Sequence, residues 1–415
     1  MTKICRGRIS FSGKYAKVFL GALFLSNKQG KVLLAEFENQ FSLYIQRKQA
    51  IAVSCAKTAL SLSLKILKAQ AGDEIIVPGY TVTEVIDVII SNGLKPVFVD
   101  ISLQDGNMIP ELIEQKITCK TKFILMTHIH GNPCEIDSII SIAKKYGIRV
   151  IEDAAQACGA EYKGKKIGSF GKIAYFSFNL FKNLNTLGGS MIVTDDHNLA
   201  AKIRQLVSEF KPISKRELIK RFFIAGLLAF FTKPFIFSWL GYPGLRLMGR
   251  YRDKNIKQTL KVKSLNKTDL NKFNVSFSPA QASLGLLRIK DLDELNQQKI
   301  NNAKVLNEKL SIIKQIGIFN SRENIKNIYL NYVIRVADRQ ELIKFLFDQG
   351  IDISPGFVQA CAYLKEFAAY ASACPNSLIL ERENVYLPVY LPLTEKDMVK
   401  IAKSIEKYYE SKTTI

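Results

Sequence analysis

RVIEDAAQACGAEYKGKKIGSFGKIAYFSFNLFKNLNTLGGSMIVTDD, residues 149–196, is the stretch whose reading decides the fold. It holds three short β-rich runs: Val150-Ile151, Ile173 to Phe178, and Met191 to Val193. Runs of this length, bounded by Gly-rich and polar turns, read as buried strands. The first ends on a carboxylate, Asp153, with the amide of Gln156 three residues further on. The second carries Ser177 near its end and Lys182 five residues later, and Gly188-Gly189 precede the third. An acid, a hydroxyl and a lysine therefore fall at or just beyond the ends of successive strands.

Upstream, the same alternation recurs. Residues 50–67 read as a strand, a turn of small residues at Ser54-Cys55-Ala56, and a helix. Such a turn lets backbone N–H groups approach an anion at the helix N-terminus. Residues 71–101 read as strand, loop, helix and strand, and residues 123–153 repeat the unit with a helix from Ile136 to Tyr146. Strands alternating with helices predict an α/β fold built on a mostly parallel sheet. Ligands of such sheets collect at the carboxyl ends of the strands, where Asp153, Ser177, Lys182 and His128 are expected. His128 and His130, two apart, are expected on one face of a strand. Two imidazoles without a third ligand do not make a metal site, and none is expected.

The chain has 415 residues, enough for a large domain and a smaller one. Residues 1–277 are expected to form the large domain, with a basic, apolar insert at about 211–263. Residues 278–415 are expected to supply a linking helix and a small α+β domain. Seven scattered cysteines, none in a CxxC pair, suit a reduced, cytoplasmic protein. Near the N-terminus, VFLGALFL (18–25) follows several basic residues as a signal peptide would. No clear small-residue cleavage site follows, so a helix packed on the body is expected.

The net charge is +22, and its distribution matters more than its size. From Lys211 to Lys263 there are thirteen Lys/Arg against Glu217 and Asp253, half the whole excess. The same segment holds RFFIAGLLAFF (221–231) and FIFSWLGYPGL (235–245). Each run is too short to cross a hydrocarbon core of roughly 30 Å. Apolar pieces flanked by Lys/Arg, with the lone Trp239, suit contact with the inner face of the cytoplasmic membrane. Nucleic-acid surfaces are seldom this apolar, and no nucleic acid is expected.

The chain resembles the DegT/DnrJ/StrS-type family of pyridoxal-phosphate-dependent sugar aminotransferases, within fold type I. The resemblance runs from about Glu36 to Tyr409 and is carried by AVSCAKTAL (52–60), GDEIIVPGYT (72–81), LKPVFVDI (94–101), HIHGNP (128–133), residues 150–171 and FSFNLFKNL (176–184). It implies a large mostly parallel α/β/α domain with a smaller C-terminal α+β domain. It implies that Lys182 bonds to the cofactor aldehyde and later moves the substrate proton. Asp153 would pair with the pyridine nitrogen, and Gln156 would contact the phenolic oxygen edge. Ser177 would donate to the phosphate, with backbone N–H groups at Ala56 and Lys57. His128 would lie near the cofactor. Asn274 would reach into a neighbour's site, which implies a homodimer with shared active sites.

The chain also departs from the family pattern. Cys55, Ala56 and Lys57 stand where Ser-Gly-Thr is usual, Val82 where an aromatic stacks on the ring, and Ser276 where Arg is common. The expected activity is conversion of a keto sugar, nucleotide-linked, to an amino sugar with nitrogen from an amino acid such as glutamate. Surface polysaccharide or lipopolysaccharide synthesis is the expected setting. Two rivals stay open: a sugar dehydratase of the same fold, whose members carry histidine where Lys182 stands, and a non-catalytic membrane-associated binding protein.

Overall fold

Across the central sheet the strands run in the order Gln49–Val53, Ser190–Thr194, Ile173–Ser177, Arg149–Asp153, Thr121–Thr127, Glu74–Pro78 and Lys95–Val99. Only Ser190–Thr194 is antiparallel to its neighbours. The computed structural model describes residues 2–9, 11–249, 272–319 and 322–413. The architecture is the expected one, a mostly parallel sheet with helices on both faces.

Period-2 alternation sorts each strand between two cores. Val150, Ala174, Phe176 and Met191 pack beneath the helices Asn27–Ile45 and Ile136–Lys145. Ile151, Ile173, Tyr175 and Ile192 pack beneath Ala56–Ile66, Thr83–Ser91 and His197–Ser208. Both faces are covered, which is why these strands read as continuous apolar runs. On the Val150 face, Phe37, Phe41, Phe176, Phe178 and Phe277 interlock, with the closest rings, Phe41 and Phe176, 5.0 Å apart. Aromatic pairs of this kind add about 0.5–1.5 kcal/mol each beyond the area they bury.

One expectation fails locally. The Thr121–Thr127 strand stops before both histidines, so they share no strand face. His128 leads into a short 3-10 turn, and His130 has φ of 58°, in the left-handed region.

Downstream, Ser278 caps the helix Pro279–Ile289 through a reciprocal capping box with Gln281. The next helix, Leu292–Leu310, ends in a third core, where Ala303, Leu306 and Leu310 meet Tyr332, Ile334, Leu346 and Ile405. That C-terminal unit is a three-stranded antiparallel sheet with helices Arg339–Asp348 and Glu395–Thr413. Residues 2–9 also lie against it. Ile4 bridges to Ile351, and Arg6 forms a double-pronged ion pair with Asp352.

VFLGALFL lies largely in the helix Gly13–Ala22, whose buried Phe19 stacks on Phe222. The insert begins with the helix Lys215–Phe231, whose first turn is capped by Ser214. Pro234–Leu247 follows, bent by 68°. Its far end docks on the C-terminal unit, where the Tyr242 hydroxyl donates to the Phe347 carbonyl at 2.6 Å. Residues 250–263 of the expected insert lie outside the described residues. Among the described residues no single helix is long and apolar enough to cross a membrane.

Candidate active site

Asp153, Tyr175 and Ser177 reach one edge of the sheet because they share its Ile151 face. Asp153 pairs in register with Tyr175, and Ser177 with Ser190. The turn after Val53 and the Gly188-Gly189 turn come to the same edge. Gly189 has φ of 108°, and a Cβ there would run into the Phe277 ring, so only glycine suits this turn. Gln281 secures the turn by donating to the Gly188 carbonyl at 2.8 Å.

These elements enclose a cleft of about 1970 Å³. Asp153, Gln156, Ser177, Lys182, Ala56, Lys57 and Val82 all line it. The Lys182 amine has no hydrogen-bond partner among the described residues. Burial pushes it down from its ordinary 10.5 to about 8, against the opposing pull of Asp153 and Glu84. Asp153 is buried and accepts from the Ala155 N–H at 3.0 Å. Burial raises its proton affinity, with Ala155, Tyr175, Lys182 and His128 offsetting part of that rise. Gln156 accepts from the His130 N–H at 3.0 Å, which fixes the side chain at the rim.

The helix Ala56–Ile66 starts on the cleft with no side-chain cap. Its first N–H groups have no partner within the helix and, with the helix dipole, favour an anion there. Ser54 and Thr58 donate instead to the Phe273 carbonyl. The Lys57 ammonium lies 4.5 Å from the Phe273 ring centre, so an aromatic face supports the lysine that stands in the altered turn.

Two expected residues are placed elsewhere. His128 does not line the cleft: its Nδ1 accepts from the Cys134 N–H at 3.1 Å and its Nε2 meets Glu152 at 3.2 Å. It is a buried anchor behind the cleft wall, close enough to Asp153 for its charge to act there, and a place beside the cofactor rests on the family resemblance alone. Asn274 is not itself at the cleft wall, although its neighbours Phe273 and Val275 are.

Glu152 explains the second half of the quoted motif. It points to the opposite face from Asp153 and accepts from the N–H groups of Gly168, Phe170 and Gly171 at 2.6, 2.9 and 2.9 Å. Burial alone would raise its proton affinity. The His128 hydrogen bond and charge, with the loop N–H groups, reverse this and hold it below the ordinary carboxylate range. For His128, burial pushes down, but the Cys134 thiol and Glu152 override it and hold the ring above its ordinary value. The GSFG turn is thus wrapped around a buried carboxylate, and it braces the strand that ends in Asp153.

Three neighbours of the site were not anticipated. Tyr175 lies two residues before Ser177, so strand periodicity could have found it. Glu84 lies in the first turn of the helix after Val82. Lys299 comes from the Leu292–Leu310 helix and lies close enough to Lys182 for the two charges to interact; no local pattern announces it.

A cofactor with an aldehyde, a ring nitrogen and a phosphate fits these residues. The cleft offers an amine without a hydrogen-bond partner among the described residues, a buried carboxylate of raised proton affinity, and a helix N-terminus with no side-chain cap on the same cleft as Ser177.

The sequence profile of the DegT/DnrJ/EryC1/StrS aminotransferase family matches residues 26–227 and 239–406. GDP-perosamine synthase of Escherichia coli O157:H7 is 27% identical over 97% of this chain and 98% of its own length. The spore coat polysaccharide biosynthesis protein SpsC of Bacillus subtilis is 28% identical over 89% of this chain and 88% of its own. An aminotransferase structure from Psychrobacter cryohalolentis superposes with a TM-score of 0.78 at 24% identity, covering 97% of this chain and 98% of the other. The chain belongs to the DegT/DnrJ/EryC1/StrS family, and it is a pyridoxal-phosphate-dependent aminotransferase of the sugar aminotransferase type.

Proposed function

We propose that this aminotransferase passes the amino group of an amino acid such as glutamate to a nucleotide-linked keto sugar. The observation that carries this reading is the unpartnered, readily deprotonated Lys182 amine, set in one cleft with the Asp153 carboxylate. Pyridoxal phosphate, when bound, supplies the electron sink that makes the proton at the donor Cα removable. Lys182 Nζ takes that proton. Its value near 8 keeps a useful fraction neutral at physiological pH, which is what a general base needs. Asp153, whose burial raises its proton affinity, is matched to share a proton with an aromatic nitrogen. Ser177 and the N–H groups of Ala56 and Lys57 hold the phosphate. Lys57, Arg221 and Lys272 also line the cleft, and they suit the diphosphate of a sugar nucleotide.

The test is to load the purified protein with the cofactor and offer a panel of nucleotide keto sugars with glutamate. Mass spectrometry should find one sugar gaining an amino group while glutamate becomes 2-oxoglutarate. No cofactor absorption band after loading, or no aminated product from any sugar, would sink the reading. The family resemblance further suggests a homodimer, for which sedimentation should report twice the chain mass.

A second observation favours work at an anionic membrane surface. Ile219, Phe223, Leu227, Phe230 and Phe231 form an exposed apolar stripe on the Lys215–Phe231 helix, while Leu218, Ala225 and Ala229 fill its inner face. Phe235, Trp239, Leu240, Leu247 and Met248 extend the exposed apolar surface beyond the bend. Lys215, Arg216, Lys220 and Arg246 lie on the same two pieces, and Lys233 at the bend between them. In a two-fold self-contact these charges would meet their like, whereas an anionic bilayer neutralises them. Vesicles containing phosphatidylserine should carry the protein upward in a density gradient, and added salt should weaken this. Equal flotation on zwitterionic vesicles, or none on either, would count against the membrane reading.

A further inference from the structure

Beyond Lys182 the cleft opens into a smaller cavity of about 310 Å³. Its wall includes Arg6, Arg8, Lys182, Arg288 and Lys299 and, among the described residues, no Asp or Glu. Two of these charges are already committed. Arg6 is held by Asp352, and Arg288 stacks 4.2 Å from the Tyr15 ring centre. Lys299 and Arg8 make no salt bridge among the described residues.

Lys299 is nevertheless held firmly. Its Nζ donates to Asn183 Oδ1 at 2.6 Å, and Asn183 Nδ2 donates to Asn296 Oδ1 at 2.7 Å. Asn296 Nδ2 donates in turn to the Cys158 carbonyl at 3.1 Å. Asn296 is 1% exposed, so this relay runs through the interior and ends on a cation. The relay also passes through Asn183, the residue next to Lys182. Burial, then the charge of Lys182, pushes Lys299 down to about 8. Lys299 is half-buried and faces a cavity whose described wall holds no carboxylate, so a bound anion would offset the charge left there.

We propose that this cavity is the subsite for the acid end of the amino-acid donor, with Lys299 and Arg8 binding its carboxylate. Size separates the two substrates. A cavity of about 310 Å³ lies at the bottom of the roughly 300–1,000 Å³ range of small-molecule sites and suits an amino acid. A sugar nucleotide needs the large cleft. Arg8 comes from residues 2–9, which lie along the C-terminal unit, so the donor would be gripped between that segment and the Leu292–Leu310 helix. The name of the ligand rests on the aminotransferase reading; the capacity to bind an anion does not.

The test is calorimetric titration of the cofactor-loaded protein with glutarate, butyrate and inorganic pyrophosphate. Glutarate is a dicarboxylate that cannot react. It should bind wild type, with an affinity at least tenfold weaker in Lys299→Met and in Arg8→Ala, and largely restored in Lys299→Arg. Butyrate binding as tightly as glutarate would place a single carboxylate at Lys299; weaker butyrate would assign the site to the side-chain acid as well. Either pattern supports the subsite if the Lys299→Met loss accompanies it. Glutarate that fails to bind folded wild type, or that binds Lys299→Met as well as wild type, overturns the proposal. So does pyrophosphate displacing glutarate in a manner that depends on Lys299, because the cavity would then be a diphosphate site. Binding through Lys299 in a protein that aminates no sugar would keep the subsite and discard the proposed reaction.

Discussion

The strand-end cleft and the apolar insert each put side chains where they are costly, one by drawing charge inward and the other by leaving apolar surface outside. Around the strand ends, several charged groups are drawn into the protein and held by named neighbours: Asp153 at the cleft by the Ala155 N–H, Glu152 on the opposite face by three loop N–H groups, and Lys299 in the adjoining cavity by Asn183. On the insert, large apolar side chains are left in water, with Phe223 64% and Trp239 69% exposed. Both arrangements are costly in isolation. The first is offset within the chain, and its energy is recovered as positioned chemistry. The second is not offset among the described residues, and the membrane proposal takes the offset from a surface that the chain meets.

The comparison can be broken at either end. The largest effect is expected from Lys182→Ala, which should lower turnover by at least about 10⁴-fold, since it removes both a covalent handle and a proton carrier. Circular dichroism should show the fold unchanged. A variant that retained a tenth of wild-type turnover would show that the cleft's chemistry lies elsewhere. Asp153→Asn should cost about 10²–10³ in kcat, the usual range for losing one preorganised electrostatic contact.

Glu152→Gln tests scaffolding against chemistry in the same motif. Removing one partner of a buried charged pair should destabilise the protein by about 3–5 kcal/mol, read as a drop in thermal midpoint. Its kcat, measured well below that midpoint, should fall far less than that of Asp153→Asn. The reverse order would make Glu152 part of the reaction.

The pH profile gives a subtler test. In cofactor-free protein, capture of pyridoxal phosphate by Lys182 should rise about tenfold per pH unit up to about 8 and then level off. An undisturbed lysine would keep rising toward 10.5. Because the folded value is the lower one, the unfolded chain binds this proton more tightly between the two values. The Lys182 contribution to stability should therefore improve as pH rises through that window. The smallest effect on the isolated protein is expected at the insert. Trp239→Ser with Phe235→Ser should leave stability within about 0.5 kcal/mol of wild type, as exposed substitutions do. It should weaken vesicle binding all the same, and a large loss of stability would mean that these side chains are packed after all.

How much of this could be read from the chain alone follows from the reach of each interaction. Period-2 runs and the turns between them placed Asp153, Ser177 and Lys182 at one edge, because a parallel sheet leaves its strand ends no other place to go. The helix starts were legible for a similar reason, since the Ser278 box involves only residues three apart. His128 was misplaced because two residues of spacing carry no information about a strand that has already ended. Lys299 was missed because its relevance depends on how a distant helix packs beside Lys182. The apolar runs of the insert were plain from composition, but the 68° bend between them and the docking of Tyr242 on Phe347 were not. Those depend on surfaces that only the folded body supplies.

The collar around Glu152 has a consequence for how this sequence can change over time. A Cβ at Gly171 would stand 2.9 Å from that of Glu152, and one at Gly168 would strike the Phe176 ring. At Gly171 the obstacle is the Cβ and backbone nitrogen of residue 152 and the Ile173 carbonyl oxygen, which a shorter acid at 152 would leave in place. Change at 152 therefore frees no room at 171, and the two glycines are fixed by the backbone around them whatever acid they enclose. A library that randomises 152, 168 and 171 together should return glycine at 168 and 171 in nearly every folded clone.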